Sequence, residues 1–97
     1  MSKWTILTNH GAVLMLLAAR RQVSALEIAT RLGITERSVR RILVDLETDG
    51  YVQKERDSRV NRYTLNENMP LRHADFENIT IGEILKVVLR RLSERND

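Results

Sequence analysis

Two helix-start signals stand eleven residues apart in the chain, Ser24 with Glu27 three residues on and Thr35 just after Gly33, and they limit the possible folds severely. A serine hydroxyl can accept the N–H of the third helical residue while a glutamate there reaches back to the cap, so Ser24 opens a short helix over Ala25–Leu32. Gly33 supplies the left-handed residue that ends it, Ile34 turns inward, and Thr35 caps a further helix from Glu36 to about Thr48. Only a tight turn fits between them. Helices joined in this way cross steeply, so the crossing needs a small residue and the angle between them needs apolar filling. Ala29 provides the first, and Ile28, Leu32, Ile34, Val39 and Ile42 the second. The spacing predicts a helix-turn-helix over residues 25–49.

The flanks complete a small architecture. Val13, Leu14, Leu16, Leu17 and Ala18 repeat at helical spacing between Asn9 and Arg20, with Thr8 or Asn9 as cap and Met15 in the core. Gly50 ends the long central helix. Tyr51–Arg56 and Val60–Leu65 then read as two strands around a turn at 57–59, an arginine-rich hairpin over 51–65. Residues 66–78 hold the single proline and no periodicity, and form a connecting arm. Thr80 and Glu83 make a second capping box, and Ile81, Ile84, Leu85, Val88 and Leu92 carry a last helix to about Ser93. The expected fold is mainly α with a small β-hairpin: a winged helix-turn-helix plus a C-terminal helix. Residues 1–66 are expected to form the helix-turn-helix and hairpin part, and 67–97 the arm and terminal helix of the same single domain.

Turning the central helix by about 100° per residue places Val39, Ile42, Leu43 and Leu46 on one face. Arg37, Arg41 and Thr48 fall nearly opposite, flanked by Ser38, Arg40 and Val44. Three arginines near the helix start and Asp45, Glu47 and Asp49 near its end both oppose the helix dipole, and conflicts of this kind tend to mark functional faces. Arginine also matches phosphates and guanine edges through two hydrogen bonds, which lysine cannot do. The chain holds 16 Lys and Arg against 13 Asp and Glu, a net charge of +3. Residues 1–34 carry +3, 35–63 carry +1 and 64–97 carry −1, so a polyanion would not be held by the C-terminal third. Arg40, at the edge of the outward face, is placed for phosphate, and the capped helix starts at Ser24 and Thr35 offer backbone N–H groups to phosphates.

Other chemistries find little support. At 97 residues there is no room for a separate catalytic domain, and no nucleophile pairing or glycine-rich phosphate loop is present. Cysteine is absent, which removes thiolate zinc sites and disulfides and suits the cytoplasm. His10 and His73 stand alone, so no metal and no cofactor is expected. The longest apolar run, Ala12–Ala19, is far short of the roughly 20 residues that span a bilayer, so no membrane segment or signal peptide is expected. Trp4 is expected to anchor packing and Tyr63 to pack the hairpin on the central helix.

The block from Ser24 to Tyr51, SALEIATRLGITERSVRRILVDLETDGY, followed by the hairpin and last helix, resembles winged helix-turn-helix transcriptional regulators of the MarR-like kind. The match is best over Ser24–Leu65. Looser likeness to very short regulators of that fold continues through Trp4–His10, Leu71–His73 and Thr80–Leu85. The resemblance implies that Thr35, Arg37, Ser38 and Arg41 meet bases or nearby phosphates, with the recognition helix 36–48 in a major groove. It also implies that Arg56, Arg59 and Arg62 belong to the wing, Arg59 entering a minor groove. The long extra helices that build a dimer platform and effector pocket in larger members are missing, which leaves effector sensing open. The last helix is their substitute: Ile81, Ile84, Leu85, Val88 and Leu92, widened by Val87 and Leu89, are expected to form a homodimer interface suited to palindromic half-sites. The competing expectation is a winged-helix module that binds protein and not DNA.

Overall fold

The computed structural model describes residues 5–20, 22–57 and 60–95, without the side chains at 56, 57, 60, 61 and 95. Four helices and a hairpin follow in order: α1 (Asn9–Ala19), α2 (Ala25–Leu32), α3 (Glu36–Thr48), β1 (Val52–Asp57), β2 (Val60–Leu65) and α4 (Ile81–Arg95), with a single 3₁₀ turn at Ala74–Phe76. This is the expected mainly helical winged helix-turn-helix.

Each helix starts where its capping chemistry dictates. Thr8 Oγ1 accepts the Gly11 N–H at 3.1 Å. Ser24 and Glu27 exchange both bonds of a capping box, at 3.0 and 3.3 Å. Thr35 Oγ1 accepts the Ser38 N–H at 3.0 Å, and Thr80 and Glu83 form the second box. Gly33 (φ 69°) and Gly50 (φ 84°) end α2 and α3 in left-handed conformation. At both ends the following residue bonds back five positions, Ile34 N–H to Ala29 at 3.1 Å and Tyr51 N–H to Leu46 at 2.8 Å. These bonds satisfy carbonyls that a helix end otherwise leaves open.

A single apolar cluster joins the elements. Val13 and Leu17 of α1, Ile28 and Ala29 of α2, and Val39, Ile42, Leu43 and Leu46 of α3 are buried together with Val23, Tyr51, Val52, Ile81 and Leu85. Met15, Leu32, Ile34, Tyr63 and Leu65 pack against them. The hairpin is an antiparallel pair with Val52 opposite Leu65 and Glu55 opposite Arg62.

Several details depart from the sequence expectation. Helix α1 stops at Ala19, and α4 runs on to Arg95. Strand β1 begins at Val52, because the Tyr51 N–H closes α3 on the Leu46 carbonyl; the Tyr51 side chain is buried and its hydroxyl donates to the Pro70 carbonyl at 2.7 Å. The arm is tied down, since Leu71 N–H bonds Ile79, Ile81 N–H bonds Met69, and Pro70 bridges Thr80. Such a clip depends on backbone pairing and leaves no periodic trace. Finally, Ile81 and Leu85, expected on a dimer surface, are only 6% and 5% exposed. They face the chain's own core, so the surface left on α4 is Ile84, Val87, Val88, Leu89 and Leu92. Trp4 and Arg59 lie outside the described residues, as do the side chains of Arg56 and Asn61.

The arm meets α4 so closely at Gly82 that a side chain has no room. A Cβ there would sit 2.7 Å from Glu67 Cβ and 2.9 Å from its carbonyl oxygen, whereas one at Gly11 would meet only Thr8 Oγ1 at 3.5 Å. Gly82→Ala should therefore lower stability by about 1–3 kcal/mol through overpacking, despite the better helix propensity of alanine. Gly11→Ala should be neutral or stabilising by up to about 1 kcal/mol. Urea denaturation of the two variants checks the contrast.

Candidate nucleic-acid interface

Helix α3 is fixed from below. Val39 is fully buried and Ile42, Leu43 and Leu46 nearly so, while Arg37, Ser38, Arg40, Arg41 and Val44 are exposed. The rotation of the helix about its axis is therefore set by packing of the opposite face, which holds the arginines outward.

The charges along α3 sort into paired and unpaired. Glu36, at the helix start where an acid suits the dipole, accepts from Arg40 Nε at 3.1 Å and from Nη2. Asp45 accepts from His10 Nε2 of α1 at 2.8 Å. Asp49 accepts from Arg72 Nη1 of the arm, and the Arg72 guanidinium also lies 6.0 Å from the centre of the Tyr51 ring. Asp49 raises the Arg72 pKa above the usual arginine value by this hydrogen bond and by charge. Glu47 lies near Tyr63, whose phenol is raised above its usual pKa by burial first and by Glu47 second, against an opposing effect of Arg40. Two of the acids that oppose the dipole at the end of α3, Asp45 and Asp49, thus serve as attachment points for α1 and the arm. Arg37 and Arg41, one turn apart, have no acidic or hydrogen-bonding side-chain partner among the described residues.

The remaining predicted residues take different places. Thr35 and Ser38 are joined at the start of α3 by a hydroxyl bond, Thr35 Oγ1 donating to Ser38 Oγ at 2.9 Å, in addition to the cap. Ser24 lies exposed at the start of α2, with its hydroxyl committed to the cap. Arg62 does not join the α3 group. With the Gln22 amide oxygen turned toward it, Gln22 accepts from Arg62 Nε at 3.2 Å and Nη2 at 2.8 Å. Both line an open groove of about 790 Å³ bounded by α1, the hairpin and α4. Gln22 went unread in the sequence because a contact between residues 22 and 62 leaves no local signal. Arg59, the expected tip residue, and the Arg56 side chain lie outside the described residues. His73 is used locally, its Nδ1 accepting the Asp75 N–H at 3.1 Å.

Removing the Thr35 cap tests how far this placement depends on local chemistry. Thr35→Ala loses both the backbone cap and the Ser38 bond, and should cost about 1 kcal/mol of folding stability. Thermal melts followed by far-UV circular dichroism measure it.

With this geometry in view, comparison with known proteins is informative. A protein-family model described as HTH domain matches residues 12–58, from α1 to the end of β1. Among solved structures the chain is similar to the crystal structure of the zinc-dependent MarR family transcriptional regulator AdcR in the Zn(II)-bound state. The TM-score is 0.54 and the identity 26%, over 69% of this chain and 47% of that one. The chain thus spans about half the length of that regulator. No curated protein sequence matches it. Zinc dependence is a property of that regulator; among the described residues here, no three His, Asp or Glu side chains are grouped so as to hold a metal ion. Among the same residues no helix is long and apolar enough to cross a membrane. The chain has a winged helix-turn-helix fold, similar in architecture to that MarR family regulator over 69% of its length.

Proposed function

We propose that this protein is a sequence-specific, double-stranded-DNA-binding transcriptional regulator, not an enzyme, acting in the cytoplasm. In this reading α3 enters a major groove and the wing over 56–62 meets the adjacent minor groove. The observation that carries it is the pair Arg37 and Arg41, exposed, unpaired among the described residues, and mounted on a helix whose opposite face is buried. A solvated surface helix gains from pairing its charges at this spacing, as Arg40 does with Glu36. Two cations left without acids on a rigid support suit an anionic partner, and a fork-shaped donor suits guanine O6 and N7. The capped starts of α3 and α2, at Thr35 and Ser24, add the helix-start N–H groups that their caps leave open for phosphates, Ser38 a hydroxyl, and Arg40 a charge at the edge.

The direct test is binding to duplex DNA across a salt series. Affinity should fall steeply as salt rises, with a logarithmic slope of about −0.9 for each phosphate neutralised. Arg37→Ala and Arg41→Ala should each cost roughly 1–3 kcal/mol on the preferred site and relax base preference, with smaller losses on random duplex. Equal losses on both would reduce the two arginines to phosphate contacts. A flat salt response, or no duplex binding at low salt, would favour a protein-binding module.

The same proposal includes pairing of two copies through α4. Ile84 is 39% exposed and Val87 55% exposed, and Val88 and Leu92 lie half-buried beside them, which is more apolar surface than a monomer's outer helix needs. A two-fold pair would present two α3 helices to two half-sites. Ile84→Glu and Val88→Glu should shift sedimentation velocity from dimer to monomer with the far-UV spectrum unchanged. Leu85→Glu should unfold the chain, because Leu85 belongs to the core. A monomer for the unaltered protein would refute the pairing.

A further inference from the structure

Val44 is 59% exposed, and it flanks the centre of the outward face of α3, between Arg40 and Arg37 in projection. In projection it lies about 20° from Arg37 and about 60° from Arg41, and nearly opposite the buried Leu46, at 100° per residue. Arg37, Arg40 and Arg41 precede it by seven, four and three residues, so one apolar, β-branched side chain stands within a group of cations. A single exposed apolar residue is ordinary on a protein surface. Its position here is not, because a face selected only for contact with water would gain helix propensity from almost any straight-chain residue.

We propose that Val44 determines specificity by packing on the C5-methyl group of a thymine, close to the base read by Arg41. This rests on the DNA-binding reading above and sharpens it. The charges around Val44 would bring a polyanion to this face, and the major groove presents one apolar group to such a side chain, the thymine methyl. Val44 follows Arg41 by about 4.5 Å and Arg37 by about 10.5 Å along the helix, at 1.5 Å per residue. With base pairs about 3.4 Å apart and the helix inclined to the duplex axis, these lengths are upper bounds, so the thymine falls about one step from the Arg41 base and at most about three from the Arg37 base. The preferred site should thus hold a thymine at that fixed offset from a guanine.

The probe is the duplex enriched by the full-length protein from a random-sequence pool. Each thymine in it is replaced in turn by deoxyuridine, which removes only the methyl group, and binding is measured for the native protein and for Val44→Ala. Alanine favours the helix and the site is exposed, so the variant folds. Native protein should lose about fourfold in affinity at one or two positions, the worth of one buried methyl, and Val44→Ala should be insensitive at those same positions. If duplexes are enriched but no deoxyuridine lowers affinity, or Val44→Ala loses as much as native protein, the thymine contact is wrong while DNA binding stands. If no duplex is enriched, both fall together.

Discussion

The burial of one face of α3 is the constraint on which the rest depends. Val39, Ile42, Leu43 and Leu46 lock into the cluster made by α1, α2 and the start of β1, and that seating fixes which side chains point away. An outward arginine on a loosely held helix would spend conformational entropy on every contact it made. On a helix with a packed underside most of that cost has already been met in folding, which is what lets a few side chains discriminate among surfaces. The turn at Gly33 matters for the same reason. Its left-handed backbone brings the start of α3 against α2 at one angle, and the caps at Ser24 and Thr35 keep both helix starts from fraying.

Electrostatics along α3 follow from this seating. The sequence shows cations near the start and acids near the end, an arrangement the helix dipole disfavours, and the whole conflict looks functional when only the sequence is in view. The structure separates two causes. Asp45 and Asp49 bind His10 and Arg72, so the acids attach the helix to elements that precede and follow it. These pairs are exposed and individually weak, yet both sit where α1 and the arm meet the end of α3. Arg37 and Arg41, on the cationic half, have no such partner among the described residues.

Most of the fold was legible because its signals are local. Capping residues, positive-φ glycines and a 3.6-residue apolar repeat place α2 and α3 at the bounds observed, and α1 and α4 within two residues of theirs. Contacts distant in sequence were not legible. The clip of Pro70 on Thr80, the Tyr51 hydroxyl on Pro70 and the Gln22 contact with Arg62 join residues 10 to 40 positions apart through groups that carry no periodic pattern. The division of the α4 stripe was hidden for a related reason. Ile81, Ile84, Leu85 and Val88 share one helical stripe, and the tertiary packing of α4 on the core decides that Ile81 and Leu85 turn inward while Ile84 does not. For the candidate interface, periodicity sufficed to separate Arg37 and Arg41 from the core, but the pairing of Arg40 with Glu36 and the turn of Arg62 toward Gln22 required coordinates.

The arm gives these pieces a common frame. It holds the end of α3 through Arg72 and Asp49, the start of the hairpin through Tyr51 and Pro70, and the first turn of α4 through the N–H groups of Ile81 and Gly82, which donate to Met69 and Glu67. A short segment bonded at three places transmits position better than a free linker, because each bond removes a degree of freedom from the elements it joins. The close fit of Gly82 on Glu67 has the same effect, since it leaves no space for α4 to slide along the arm. The outward apolar residues of α4 and the outward arginines of α3 are therefore held by one connected frame. If two copies meet through the first, the distance between their second is set within each chain by the arm, and half-site spacing becomes a property of residues that touch neither the partner nor the DNA.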